Sequence, residues 1–192
     1  MNWLKSCVAL AAGAALAACA VLSPQDRAVQ RAPAFDLLGR VAVSYDGRAF
    51  SSGLRWQHLE AGDEIWLLTP TGQALAHIVS GASGATLTGA DQTRYHAGDV
   101  ESLTRRALGW ELPLAHLTWW VRGESVPGVQ VADEARDQRG RLARLAQNDW
   151  RITFVHPAAN DPGGLPQRLE LVRDGHQIRL VIDSWRSGGD AQ

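Results

Sequence analysis

Hydrophobic and polar residues alternate along most of this chain, and two stretches break the alternation. Patterning starts near Phe35. Val41, Val43 and Tyr45 alternate with Arg40, Ala42 and Ser44 until Asp46-Gly47 turns the chain, and Leu54, Trp56 and His58 alternate with Arg55 and Gln57. A period of two marks strands with one buried face. Residues 64–69 are apolar at Ile65, Trp66, Leu67 and Leu68, which predicts a strand covered on both faces. Strands at 73–80 and 85–88 follow, separated by Pro70-Thr71-Gly72 and the Gly81–Gly84 turn. Connections this short join antiparallel neighbours, so the first half is a meander.

The period then lengthens. Asp99 caps a predicted helix with Val100, Leu103 and Ala107 on one face and Gly109 as its stop. A second helix starts at Pro113, carries Leu114, Leu117 and Trp120-Val121 as its stripe, and ends at Gly123. Beyond Pro127 the alternation returns at 141–147, 150–156, 167–173 and 177–185, with Asp174-Gly175 as a strong hairpin turn. In the last pair Leu169, Leu171, Ile178, Leu180 and Ile182 share one face, and Arg168, Glu170, Arg179 and Asp183 the other. A sheet with one apolar face must curl on itself or be covered. Two short helices cannot cover it completely. The expected fold is mainly β: an unclosed antiparallel barrel, or half-barrel, with short helices over its mouth and apolar space beneath them.

The N-terminus follows another rule. Lys5 supplies a positive head, residues 7–16 are apolar without charge, and Leu16-Ala17-Ala18-Cys19 closes the run. This is too short to span a membrane and has the build of a secretory signal. A cysteine directly after small residues resembles a bacterial lipobox, in which the thiol is acylated and the chain is cut before it; a plain secretory signal is the alternative. The expected organisation is a signal peptide at 1–18, a lipidated tether at 19–34 with Cys19 as the lipid-attachment residue, and one domain at 35–187. Cys7 leaves with the signal, so the mature chain has no second cysteine for a disulfide.

Composition adds exclusions. With 19 Lys and Arg against 20 Asp and Glu, the chain has no basic excess to recommend a nucleic-acid partner. Lys5 is its only lysine, so every basic side chain of the domain is Arg. Eight Trp suit either a Trp-rich core or a cavity or surface that meets lipid. The six histidines show no zinc spacing, there is no GxSxG or phosphate loop, and most carboxylates lie in turns. No metal, cofactor or catalytic residue is nominated. Asp183, the acid expected to be half-buried, reads best as the partner of an Arg across the sheet.

Several stretches together resemble the outer-membrane lipoprotein LolB family: the lipobox, Phe35-Asp-Leu-Leu-Gly39-Arg40-Val41-Ala42-Val43, Leu112-Pro113-Leu114 with Leu117, and Trp120-Val121-Arg122-Gly123. Gly140-Arg141-Leu142, Leu165-Pro166 and Ile182-Asp183-Ser-Trp185 stand in the expected order. The resemblance implies a receptor, not an enzyme, with no cofactor. It would accept lipoprotein cargo from a periplasmic LolA-like carrier and insert it into the outer membrane, as a monomer anchored there by its lipid. Ala20, where retention in the inner membrane is associated with Asp, fits that address. The acyl-cavity candidates are Val41, Val43, Leu54, Trp56, Ile65 and Leu67 from the sheet and Leu103, Leu117 and Trp120 from the helices; the alternative is that they simply pack together. Family members often carry an apolar residue between Pro and Gly in an exposed hairpin thought to touch the bilayer. Here Pro70, Thr71 and Gly72 form that loop, with Thr71 in the apolar slot. The other classes weighed are an anchored periplasmic envelope enzyme and a structural lipoprotein with no acyl-binding cavity.

The lipobox reading yields a direct expectation. Cys19→Ala behind an ordinary cleavable signal should give a folded, soluble periplasmic protein. Its retention in membranes after a high-salt wash would show that something besides the lipid holds it.

Overall fold

Inward-facing Leu, Ile, Val and Trp at every second position build a single curved sheet. The computed structural model describes residues 34–158 and 164–186; the signal peptide, Cys19, the tether up to Pro33 and residue 187 lie outside the described residues. Six strands come first: β1 Phe35–Tyr45, β2 Arg48–Leu59, β3 Gly62–Leu68, β4 Ala74–Gly81, β5 Gly84–Gly89 and β6 Arg94–Ala97. Two helices follow, α1 Val100–Leu108 and α2 Leu114–Trp120. Five strands complete the fold: β7 Val131–Arg136, β8 Leu142–Gln147, β9 Trp150–Val155, β10 Arg168–Arg173 and β11 His176–Arg186.

All neighbours are antiparallel, in the order β6-β5-β4-β3-β2-β1-β11-β10-β9-β8-β7. The two meanders join where β1 pairs with β11, with Val41 opposite Leu180 and Val43 opposite Ile178. A bulge at Leu38/Gly39 bends β1 there. Gly39 is required, because a Cβ at this position would collide with the Val181 carbonyl. The edges β6 and β7 do not pair with each other, so the barrel stays open. The chain passes from one edge to the other through α1 and α2, which therefore cross the concave face.

Helix α1 is bounded as the sequence predicts, and α2 is shorter than expected. The Asp99 carboxylate accepts a 2.6 Å hydrogen bond from the Ser102 N–H, which holds its pKa below the ordinary range. Gly109 closes α1 at φ 81°, a left-handed conformation, with its N–H on the Arg105 carbonyl. In α2, Pro113 is the cap residue rather than the first helical one, and Val121–Gly123 continue as turns. Two strands escaped the periodicity. β6 has four residues, and β7 (Val-Ala-Asp-Glu-Ala-Arg) is an edge strand with little burial to pattern it.

The core runs through the concave side. Trp56, Trp120 and Trp150 are among its most buried side chains, and Trp110 and Trp119 are buried too. The expectation that residues 64–69 are covered on both faces needs correction. Ile65 and Leu67 are buried, but Trp66 lies on the outer face, where no second layer exists. Side chains cover it instead: His77 stacks on it at 4.9 Å and the Arg55 guanidinium lies 5.1 Å from its ring centre. Asp183 does pair with an Arg, at 2.8 Å from Arg40, although its side chain is 48% exposed.

Candidate functional site

The concave face and the crossing helices enclose one wholly apolar chamber. Val41, Leu54, Trp56, Ile65, Leu67 and Ile78 form its floor with Ile178 and Leu180 of β11, and Leu108, Trp110, Leu112, Leu114 and Leu117 roof it. Six of the nine residues expected in an acyl cavity thus meet around one space. Val43, Leu103 and Trp120 do not line it; they are fully packed nearby, at 2%, 0% and 0% exposure. Of the roof residues that the sequence reading missed, Trp110 and Leu112 lie in the linker between the helices, where no period exists to mark them, and Leu108 and Leu114 are the helix residues that flank it. Ile178 and Leu180 carried a usable signal, their alternation on the last strand.

The chamber measures only about 30 Å³. That is room for about two water-sized spheres, far short of an acyl chain. In this state the roof side chains fill the space that a chain would occupy.

The helices form one body. Thr104, fully buried, accepts from the Leu112 N–H at 3.0 Å; Glu101 accepts from the Ala115 N–H at 3.1 Å; Arg105 pairs with Glu111 at 2.6 Å. Two different attachments hold this body to the sheet. At the far end of α2, Gln147 is 1% exposed and uses its whole amide: Oε1 accepts from Trp120 Nε1 and the Val126 N–H, while Nε2 donates to the Val126 and Val129 carbonyls, all at 2.9–3.0 Å. His116 stacks on Trp120, and burial lowers its pKa. At the linker the attachments are fewer: Tyr45 Oη donates to the Leu108 carbonyl at 2.9 Å, and Arg173 reaches Glu111 at 3.3 Å. The hydrogen bond from Arg105, and more weakly that from Arg173, holds the Glu111 carboxyl below its ordinary pKa against the opposing effect of burial. This pairing is fully present above the unfolded pKa of Glu and is lost as the pH falls through the lower folded value.

The opposite end is plugged by rings. Phe35 packs edge-on against Trp56 at 4.9 Å and Trp185 at 5.6 Å. Asp63 accepts from Trp56 Nε1 at 2.7 Å and sits 2.8 Å from His58 Nδ1, fixing the indole that faces the chamber.

The expected loop is an exposed tip between β3 and β4. Pro70, Thr71 and Gly72 are all exposed, and Gly72 has φ 85°. The tip is cross-braced: the Gly72 N–H meets the Thr69 carbonyl at 2.9 Å, and the Thr69 and Thr71 hydroxyls meet at 2.9 Å.

An open antiparallel half-barrel with a helical lid over an apolar chamber places this chain among the lidded half-barrel proteins. The family model for outer membrane lipoprotein LolB matches residues 33–185, and the chain belongs to that family. It is 39% identical to the outer-membrane lipoprotein LolB of Thiobacillus denitrificans, over 90% of this chain and 92% of that one. It is 38% identical to that of Nitrosomonas europaea, over 82% and 76%. Among solved structures the fold is similar to a Vibrio parahaemolyticus domain assigned to outer membrane lipoprotein sorting, with a TM-score of 0.53, 10% identity, and coverage of 85% of this chain and 88% of that one.

If the linker contacts act as a latch, Tyr45→Phe should loosen the lid selectively. One hydrogen bond of this kind contributes about 0.5–1.5 kcal/mol. Amide exchange over residues 100–120 should rise several-fold with β1 and β2 unchanged. Uniform acceleration throughout the domain would refute a local latch.

Proposed function

We propose that the chamber under α1 and α2 is where this outer-membrane lipoprotein receives the acyl chains of its cargo before inserting them into the membrane. The observation that carries the reading is the chamber itself: every lining side chain is apolar, and the polar contacts that hold its roof lie outside it. Each acyl CH₂ removed from water gains about 0.8 kcal/mol. Cargo therefore never crosses water bare, and passes from one apolar shelter to the next. The donor is a periplasmic LolA-like carrier, the receiver works as a monomer anchored through Cys19, and hand-over needs neither catalysis nor a cofactor. Family membership does not favour an anchored envelope enzyme or a structural lipoprotein without an acyl cavity.

A fluorescent apolar probe should bind the protein and be displaced by an acylated lipoprotein, but not by the same lipoprotein stripped of its acyl chains. Leu67→Gln places an amide in the chamber wall without a partner, at a cost of about 1–3 kcal/mol. Probe and cargo should bind this variant roughly tenfold or more weakly, with the fold retained by circular dichroism. Equal displacement by the stripped lipoprotein would reject the chamber as the acyl site.

The Thr71 tip is proposed to meet the bilayer during release. Thr71→Leu adds an apolar side chain worth up to about 1.5–3 kcal/mol when buried, and should speed delivery into liposomes while uptake from the carrier stays unchanged. Thr71→Glu should slow delivery alone, because a carboxylate resists leaving water. Unaltered delivery in both variants would leave the tip as a turn and nothing more.

A further inference from the structure

The convex face of the sheet is electrically lopsided. On the half made by β2–β5 its charges are matched locally, Arg55 with Asp36 and His77 with Glu64. The half made by β8–β11 and β1 is different. Register places Arg144, Thr153, Glu170 and Arg179 in one row across β8–β11. Val155, Arg168, Val181 and Arg40 form the next row, across β9, β10, β11 and β1. Arg151 lies in a third, between Ala146 and Val172. With strands about 4.8 Å apart and same-face residues about 7 Å apart along each strand, five guanidinium groups share a field of about 20 by 14 Å. Its acids are Glu170, paired with Arg179, and Asp183, paired with Arg40; Asp133 stands at the border on β7. Arg144, Arg151 and Arg168 are exposed and have no ion-pair partner among the described residues. Val155, beside Arg168, is one of three large apolar side chains left exposed among the described residues, at 48%.

We infer that this convex Arg field seats the domain on the anionic headgroups of the membrane that holds its anchor. The field is the outer face of a sheet, with a hollow of about 250 Å³ at its Arg179 corner beside Ala42, Ser44 and Gln177, and Val155 within it can enter the headgroup layer. Guanidinium groups bind phosphate oxygens through two parallel hydrogen bonds. Only residues 20–34 separate Cys19 from β1, and they reach at most about 50 Å when fully extended. A lipid on Cys19 thus keeps the domain within tether length of the bilayer, whereas an acidic protein would have to find the field by diffusion. The proposal goes beyond the acyl-chamber reading and does not depend on it.

The test uses the lipidated full-length mature protein in vesicles, with Thr153→Cys labelled by an environment-sensitive fluorophore. Thr88→Cys, on the outer face of β5, serves as the control position. In vesicles of phosphatidylcholine with phosphatidylglycerol, the label at 153 should shift to the blue and resist an aqueous quencher, while that at 88 should not. Pure phosphatidylcholine should give neither effect, and about 1 M salt, with a Debye length of about 3 Å, should reverse both. The combined R144Q, R151Q and R168Q variant should lower the docked-to-free ratio on the order of a hundredfold. The matching Lys variant keeps the charge and should remain largely docked, which separates loss of charge from loss of fold. Equal protection on neutral vesicles, or none on anionic ones, overturns the proposal. So does a Gln variant that docks normally but accepts lipoprotein poorly from its carrier, since the occupant would then be a protein.

Discussion

The pairing of β1 with β11 governs the rest of this molecule. It joins two meanders that each run outward from the centre of the sheet, and so sends β6 and β7 to opposite edges. The chain between those edges has to cross the open side. A connection over an apolar concave face must itself be apolar beneath, and α1 and α2 meet that demand with Val100, Leu103, Leu114 and Leu117 buried. The lid follows from topology. Closing the barrel would remove both the crossing and the chamber. Gly39 lets β1 and β11 approach at this junction.

The roof and its fastenings obey opposite rules. Gln147 fastens the α2 end with every amide valence used inside the protein, where a half-satisfied amide would be costly. The linker end is held by a single phenol hydrogen bond and by an ion pair whose side chains are 22% and 24% exposed. Water can replace contacts of the second kind at little net cost. The α2 end therefore carries the larger share of buried polar contacts, and the linker end rests mainly on the burial of Trp110 and Leu112.

Much of this was legible in the sequence because period and capping are local properties. The alternation of Val41, Val43 and Tyr45, the Asp99 cap and the Gly109 stop each act within a few residues, and each element formed where its pattern lay. What was not legible depends on neighbours far along the chain. Trp66 looked like core because residues 65–68 are all apolar, yet its cover comes from Arg55 and His77 on adjacent strands. Trp110 and Leu112 reach the chamber from an irregular linker, and β7 forms because β8 offers it an edge. Trp120 was read as cavity wall, but its indole N–H needs an acceptor, and Gln147 draws it away from the apolar space.

The near-absence of empty volume sets the energetics of hand-over. An acyl chain entering an open dry cavity would keep nearly the full gain of about 0.8 kcal/mol per CH₂. Here the chamber measures about 30 Å³, so on the proposed acyl site entering cargo has to displace Leu108, Trp110 and their neighbours, and their return toward water offsets part of that gain. Binding becomes an exchange of one apolar surface for another. Such an exchange is weaker than transfer into lipid, where no side chain has to be re-exposed. On that proposal the roof recovers its burial when the acyl chain leaves, so the same residues that limit uptake favour release. On the proposed reading, a lid that is apolar beneath gives delivery its direction through this exchange of apolar surface alone, provided the bilayer lies within the reach of the tether.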